Sequence, residues 1–103
     1  MYRFYSKPNA TKVRVVVVGE YDQENRILNL AVARCSKRDS FVRKKGRGIA
    51  EGRLSKGKYF DQISMEEMPS FPMFMRIAKD IAEFVIDAPQ EVVDEKFRSL
   101  KNL

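Results

Sequence analysis

The residues best suited to chemistry in this sequence are basic side chains concentrated in its middle. Residues 34–58 carry ten basic and two acidic side chains, a net charge of +8, whereas the whole chain of 103 residues has a net charge of +6. Lysine and arginine bind phosphate oxygens, and neutralising nucleic-acid phosphates releases their counterions. The pattern therefore predicts contact with nucleic acid or another phosphorylated ligand. The candidate residues are Arg43, Lys44, Arg47, Arg53, Lys56 and Lys58.

A charge run of this kind has a plainer interpretation, which is a solvated face that keeps a protein soluble. The scarcity of nearby acids argues for binding, although Glu51 follows Arg47 by four residues and is spaced to pair with it on a helix. Tyr59 and Phe60 come directly after the basic segment and are candidates for stacking on bases. Two further aromatic candidates, Tyr2 and Tyr5, lie near the N-terminus.

Two glycine-containing stretches come close to known nucleotide-binding loops without matching them. Residues 52–59, GRLSKGKY, fit G-x-x-x-x-G-K but end in tyrosine where the motif needs a Ser or Thr hydroxyl for magnesium. Gly46, Gly48 and Gly52 miss the dinucleotide-binding spacing by one residue and lie inside a predicted helix. Neither stretch predicts nucleotide hydrolysis or a dinucleotide cofactor.

The sequence offers little catalytic chemistry. It has no histidine, so no imidazole can act as base or metal ligand. The single cysteine, Cys35, has neighbouring cations that favour the thiolate, but its alternation with Ala31 and Ala33 favours a small buried core residue. One cysteine and scattered carboxylates lack a recognisable metal-ligand spacing. We expect a non-enzymatic protein with no catalytic residues, no cofactor and no metal.

Length and composition favour one domain. A chain of 103 residues with 44% hydrophobic and 33% charged residues is globular and long enough for one core. Its longest apolar run, residues 15–18, is too short to span a bilayer. We expect one domain over residues 1–103, with a sheet and basic helix in 1–68 and a helical hairpin in 69–103, in the cytoplasm and away from membranes.

Hydrophobic patterning predicts a small antiparallel sheet, and the fold class is therefore α+β. Residues 13–21 and 27–35 are rich in β-branched and aliphatic side chains and predict a β-hairpin across the polar break at 22–25. Both faces of this hairpin are apolar, and its small side chains favour close approach of a helix. An edge strand is predicted at residues 2–5, before Pro8, and a third strand at 58–65.

The basic segment predicts a glycine-containing helix packed on the hairpin. It starts at Asp39 as N-cap, runs to about Leu54 and stops at Gly57. A helical wheel predicts one packing face and one solvent face. The predicted packing face holds Phe41, Gly48, Ile49 and Gly52, and the solvent face holds Arg43, Lys44, Arg47 and Glu51.

The last third of the chain predicts a helical hairpin over residues 72–101. Ser70 and Pro72 open the first helix. Asp87 and Gln90 resemble a capping box that opens the second. The apolar stripes are Phe74, Ile77, Ala78, Ile81 and Val85 in the first helix, and Val93, Phe97 and Leu100 in the second. Nearby methionines and phenylalanines predict either the junction with the sheet or an adaptable partner surface: Met65, Met68, Phe71, Met73, Phe74 and Met75.

One segment resembles a pattern found in small bacteriophage and prophage accessory proteins. Residues 32–54 contain V-A-R-C-S-x-x-D-x-F followed, after four residues, by G-R-x-I-A-x-x-R-L. The resemblance covers about a quarter of the chain and supports a strand followed by a packed, glycine-containing helix. It implies a viral accessory protein acting inside a bacterial host cell. Such proteins include nucleic-acid binders, inhibitors of host enzymes and sponges for nucleotide signals, and no functional residue is carried over.

The residues and the resemblance together favour a non-enzymatic accessory protein that binds nucleic-acid phosphates through the basic helix and its following loop. The alternative is a viral inhibitor that binds a host protein or sequesters a small nucleotide signal with the same cations. Either function is compatible with a homo-oligomer.

Overall fold

The computed structural model of this protein describes residues 1–8, 13–35 and 43–89, and for Arg43 and Lys44 the backbone alone. Within these residues the chain forms a four-stranded antiparallel sheet in the order β1-β2-β3-β4, with one helix on each face. The predicted α+β class is confirmed. The elements are β1 (Tyr2–Tyr5), β2 (Arg14–Asp22), β3 (Ile27–Cys35), α1 (Arg43–Ser55), β4 (Asp61–Ser64) and α2 (Phe71–Asp87).

The central hairpin of β2 and β3 is apolar on both faces. The valines of β2 at 15–18 are fully buried and point alternately toward α2 and toward α1. Branched side chains of this kind fit the pleated surface of a strand, and burying both faces requires a helix on each side. On β3, Ala31 and Ala33 face α1, and their small size brings the helix close to the sheet as predicted.

Asp22 holds the turn between β2 and β3. Its carboxylate accepts hydrogen bonds from the backbone N–H of Glu24 at 3.0 Å and of Asn25 at 3.1 Å, and from the Asn25 side-chain amide at 2.8 Å. Arg26 completes the turn with a φ of 54°, in the left-handed region. The hydrogen bonds from Asn25, the side-chain one above all, favour the ionised carboxylate and hold the pKa of Asp22 below its ordinary value of 3.8.

Acid should therefore destabilise the fold through this turn. Because the pKa of Asp22 is lower in the folded chain, its stabilising contribution is complete above the unfolded pKa and is lost as the pH falls through the folded pKa. We expect the free energy of unfolding to decline below about pH 4, and to decline less steeply in the Asp22→Ala variant. Urea unfolding at a series of acidic pH values tests this, and identical pH dependence in both proteins would contradict it.

Helix α1 packs through a different face from the one predicted. Gly48 and Ile49 are exposed, and Gly52 is half-exposed, although all three were expected on the packing face. At about 100° per residue they lie on the opposite side of the helix from the buried positions. The predicted orientation is wrong because burying alanine and leucine removes more apolar surface from water than burying glycine. The buried residues of α1 are Gly46, Ala50 and Leu54.

The C-terminal end of α1 is fixed by Gly57, as predicted. Its φ of 73° turns the chain, its N–H donates to the Leu54 carbonyl at 3.1 Å, and the Lys58 N–H donates to the Arg53 carbonyl at 2.8 Å. These two bonds satisfy carbonyl groups that have no partner within the helix. The predicted N-cap, Asp39, lies outside the described residues, as does Phe41.

Helix α2 covers the other face of the sheet. The Ser70 hydroxyl accepts a hydrogen bond from the Met73 N–H at 3.3 Å and caps the helix, as predicted. The predicted apolar stripe is confirmed. Asp87 was predicted to open a second helix but is the last residue of α2, and residues 90–101 of that predicted helix lie outside the described residues. Neither described helix is both long and apolar enough to cross a membrane. The buried residues of α2 are Phe74, Ala78, Ile81, Ala82 and Val85.

Candidate phosphate-binding surface

The six cations predicted to bind phosphate all belong to α1 or to the turn that follows it. Arg43 and Lys44 form its first turn, where the structure describes their backbone alone. Arg47 is half-buried on the flank of the helix, while Lys56 and Lys58 are exposed after its end. The arrangement therefore brings two of the predicted side chains to the surface at the C-terminal end of α1.

Arg53 differs from the other cations because it completes the edge of the sheet. Strand β4 pairs with β3 from Ile27 to Leu30 and stops there, which leaves the carbonyl of Val32 beyond the last paired residue. The Arg53 guanidinium donates a hydrogen bond from Nη1 to this carbonyl oxygen at 2.7 Å. Buried or half-buried carbonyl groups need such a partner. Arg53 thus has a structural role that the sequence did not indicate.

The outward side of α1 carries a third exposed cation, Lys45, which was not among the predicted site residues. We define the outer face of α1 as the exposed or half-exposed residues opposite its buried side. The spacing of eleven residues to Lys56 could have identified Lys45, since eleven residues are close to three full helical turns. The outer face consists of Lys45, Gly48, Ile49, Gly52 and Lys56.

The two glycines of the outer face have no packing function within the described chain. A Cβ atom built at Gly48 or at Gly52 meets no atom within 4 Å. Glycine in a helix interior makes the helix less stable than alanine does, by about 1 kcal/mol at each position. Because no atom lies near a Cβ at either position, packing within the described chain does not explain why glycine rather than alanine stands there. Because of these two glycines, Ile49 is the residue that carries a side chain on this face between the lysines at its ends.

The acidic side chains of the described residues do not pair with the exposed lysines. Glu51 was expected to pair with Arg47, but its carboxylate instead bonds the Arg3 guanidinium of β1 at 2.7 Å. Within residues 1–8, 13–35 and 43–89, no carboxylate lies within ion-pairing distance of the ammonium groups of Lys45, Lys56 or Lys58. The outer face and its following turn therefore present uncompensated positive charge.

The aromatic residues after α1 are less accessible than the stacking prediction requires. Phe60 is 1% exposed and belongs to the core beneath α2, so a base cannot reach its ring. Tyr59 is half-buried against the cluster beneath α1, as is Tyr5. Tyr2 stacks on Phe74 and donates its hydroxyl hydrogen to the Pro69 carbonyl. Stacking on Phe60 is incompatible with this burial, because the ring packs as a core residue.

Cys35 is half-buried, not buried as the alternation in β3 predicted. It is the last residue of its strand, whereas Ala31 and Ala33 lie deeper beneath α1 and are almost completely covered. Among the described residues, no group of three or more cysteine or carboxylate side chains could hold a metal ion.

The methionine and phenylalanine cluster divides into two parts. Phe74 is buried, and Met65 and Met75 pack partly buried against the same core, which agrees with a junction between α2 and the sheet. The remaining members lie just before or at the start of α2, and about half or more of their surface is exposed. Exposed apolar side chains grouped in this way are compatible with the predicted partner surface. They are Met68, Phe71 and Met73.

Comparison with protein families, with curated proteins and with solved structures finds no match for this chain.

Proposed function

We propose that this protein is a non-enzymatic binder of nucleic-acid phosphates that uses the outer face of α1 and the turn after it. The observation that carries the proposal is the group of exposed lysines, Lys45, Lys56 and Lys58, with no carboxylate of the described chain in ion-pairing range. Each lysine presents a compact, mobile charge on a flexible stem. Such side chains contact the phosphate backbone and position it without reading bases.

Physical chemistry favours a polyanion over a single phosphate group for this surface. The exposed lysines lie on the outward side of a helix and on the turn after it, spread along the surface of the described chain. A polymer supplies a phosphate to each lysine separately and releases condensed counterions at each contact.

Neutralising the three lysines should weaken binding and its dependence on salt. In the Lys45→Gln/Lys56→Gln/Lys58→Gln variant we expect affinity for a labelled mixed-sequence DNA to fall by about 10- to 100-fold near 0.1 M salt, because each lost phosphate contact lowers the slope of log K against log salt by about 0.7 to 0.9. Fluorescence anisotropy over a range of salt concentrations measures both quantities.

A matched control separates this surface from net charge alone. The Lys7→Gln/Arg76→Gln/Lys79→Gln variant also loses three exposed cations, but these flank α2 on the opposite face of the sheet. We expect it to retain the salt slope of the native protein. Equal losses in the two variants, or binding by the native protein that does not respond to salt, would refute the proposal.

The alternative function is binding of a host protein, in keeping with the resemblance to phage accessory proteins. The exposed side chains at the start of α2, Met68, Phe71 and Met73, are the observation that favours it. A pull-down from bacterial lysate, repeated after nuclease treatment, distinguishes the two functions. A nucleic-acid bridge is lost after nuclease treatment, whereas a direct protein partner is retained.

A further inference from the structure

The two lysines on the outer face of α1 are spaced along one line of the helix. The Lys56 N–H donates to the Gly52 carbonyl at 3.1 Å, so the helical repeat continues as far as Lys56. Over the eleven residues from Lys45 to Lys56 the helix completes three turns plus about 20° and rises about 16 Å. The two ammonium groups therefore extend from the same side of α1, one at each end.

The surface between these lysines is uncharged, and Ile49 is the residue there that carries a side chain. Gly48 and Gly52 lack side chains, and Ile49, 42% exposed, is the apolar residue of this stretch. Donor and acceptor side chains that would distinguish one base pair from another are missing from this part of the outer face. Such a helix can approach a surface closely in its middle while it holds two separate anions at its ends.

The same surface is poorly suited to single-stranded nucleic acid. Proteins that bind single strands stack successive bases on exposed aromatic rings. Phe60 is buried, and Tyr59 packs half-buried against the α1 side of the sheet. Within the described ranges, the outer face of α1 contains no aromatic residue.

Double-stranded DNA fits the shape and charge of this face. The major groove of B-form DNA is about 12 Å wide and admits an α-helix that lies along it, with phosphates along both walls. The lysines are about 16 Å apart along the helix axis, and their flexible stems can bend to a phosphate on either wall while the side of α1 between them faces the groove floor. A-form RNA has a deep and narrow major groove that excludes a helix.

We infer that α1 binds the major groove of B-form DNA without sequence specificity, with Lys45 and Lys56 on phosphates of opposite strands. This inference rests on the proposed function and adds the class of nucleic acid and the position of the helix. Gly48 is a position that tests this contact, because a side chain there would project from the outer face of α1 without meeting another part of the described chain.

Four labelled ligands of equal length test the inference: duplex DNA, single-stranded DNA, duplex RNA and single-stranded RNA. We expect duplex DNA to bind at least about tenfold more tightly than the others, since both strands line the groove and together carry about one charge per 1.7 Å. Two duplexes of different sequence should bind within about threefold of each other, because phosphate contacts carry no sequence information.

A Gly48→Leu variant tests the position of the helix. Leucine favours a helix more than glycine does, and a side chain at Gly48 meets no atom of the protein within 4 Å, so the melting temperature should stay the same or rise. Affinity for duplex DNA should nevertheless fall by about tenfold or more, because the added side chain separates the helix from the groove and weakens both phosphate contacts. The matched control is Asp80→Leu, at an exposed position of α2, with binding no weaker than that of the native protein.

The possible outcomes distinguish this inference from the function beneath it. Tighter binding of single strands or of duplex RNA would overturn the inference while leaving phosphate binding intact. Unchanged affinity of the Gly48→Leu variant for duplex DNA would show that α1 does not lie in the groove. Failure to bind all four ligands would refute the proposed function itself.

Discussion

Replacing Phe74 with alanine is expected to lower the free energy of unfolding by about 3 to 5 kcal/mol, the usual range for a large aromatic residue removed from a core. Phe74 is fully buried between α2 and the sheet, and its ring stacks on Tyr2 with 4.9 Å between ring centroids and 20° between ring planes. It also lies directly over Gly19 of β2. Removing the ring would leave a cavity between the two layers that share this core.

Gly19 provides an independent test of the same contact. A Cβ atom at this position would lie 2.7 Å from Cε1 of Phe74 and 3.1 Å from Cδ2 of Leu30. We expect Gly19→Ala to destabilise the fold by about 1 to 3 kcal/mol through overpacking, and the loss to be smaller in a Phe74→Leu background. Urea unfolding measures each variant. A loss below about 1 kcal/mol for Phe74→Ala would contradict the described packing, and Phe74→Leu supplies a measurable value if the alanine variant does not fold.

The second large effect is expected at Arg53. Changing Arg53 to methionine keeps much of the side-chain volume but removes the donor to the Val32 carbonyl, and we expect a loss of about 1.5 to 3 kcal/mol in the free energy of unfolding. The bond lies where β4 no longer pairs with β3, so no neighbouring strand can replace it. Chemical denaturation of the native and variant proteins measures the loss.

Binding by the Arg53→Met variant distinguishes its structural role from the phosphate role that the sequence predicts. Where the variant is folded, we expect the slope of log K against log salt to stay within about 0.3 of the native value, because a lost phosphate contact would change it by about 0.7 to 0.9. The Lys56→Gln variant serves as the comparison. We expect it to change the slope of log K against log salt with little loss in the free energy of unfolding. The reverse pattern, native stability with a reduced slope, would assign Arg53 to phosphate binding.

The sheet and α2 could be predicted because their apolar residues recur at the period of the element they form. The valines at 15–18 and the stripe from Phe74 to Val85 leave one arrangement that buries them. Helix α1 lacks such a pattern. It has few apolar residues, and its glycines are equally compatible with burial and exposure. The burial of Ala50 and Leu54 therefore decides which face of α1 packs on the sheet. A helical wheel that places the glycines on the packing face gives the wrong orientation.

The candidate site was predictable as a segment but not as a set of accessible side chains. The excess of basic residues in 34–58 identifies α1 and its turn from sequence alone. Whether a given cation reaches solvent depends on contacts distant in the chain, such as those of Arg53 with Val32 and of Glu51 with Arg3. The burial of Phe60 likewise depends on a distant element, since its ring lies beside that of Phe84 in α2, with 6.4 Å between the ring centroids.

The placement of the two helices on opposite faces of the sheet gives the described part of the molecule an electric dipole. Among the side chains that the structure describes, α1 carries three basic residues and one acidic residue, whereas α2 carries two basic and three acidic residues. A polyanion within about one Debye length, about 10 Å at 0.1 M salt, would exert a torque on this dipole before any contact forms. The protein would then meet a nucleic acid with α1 already turned toward it, and raising the salt concentration would slow association by removing this orientation.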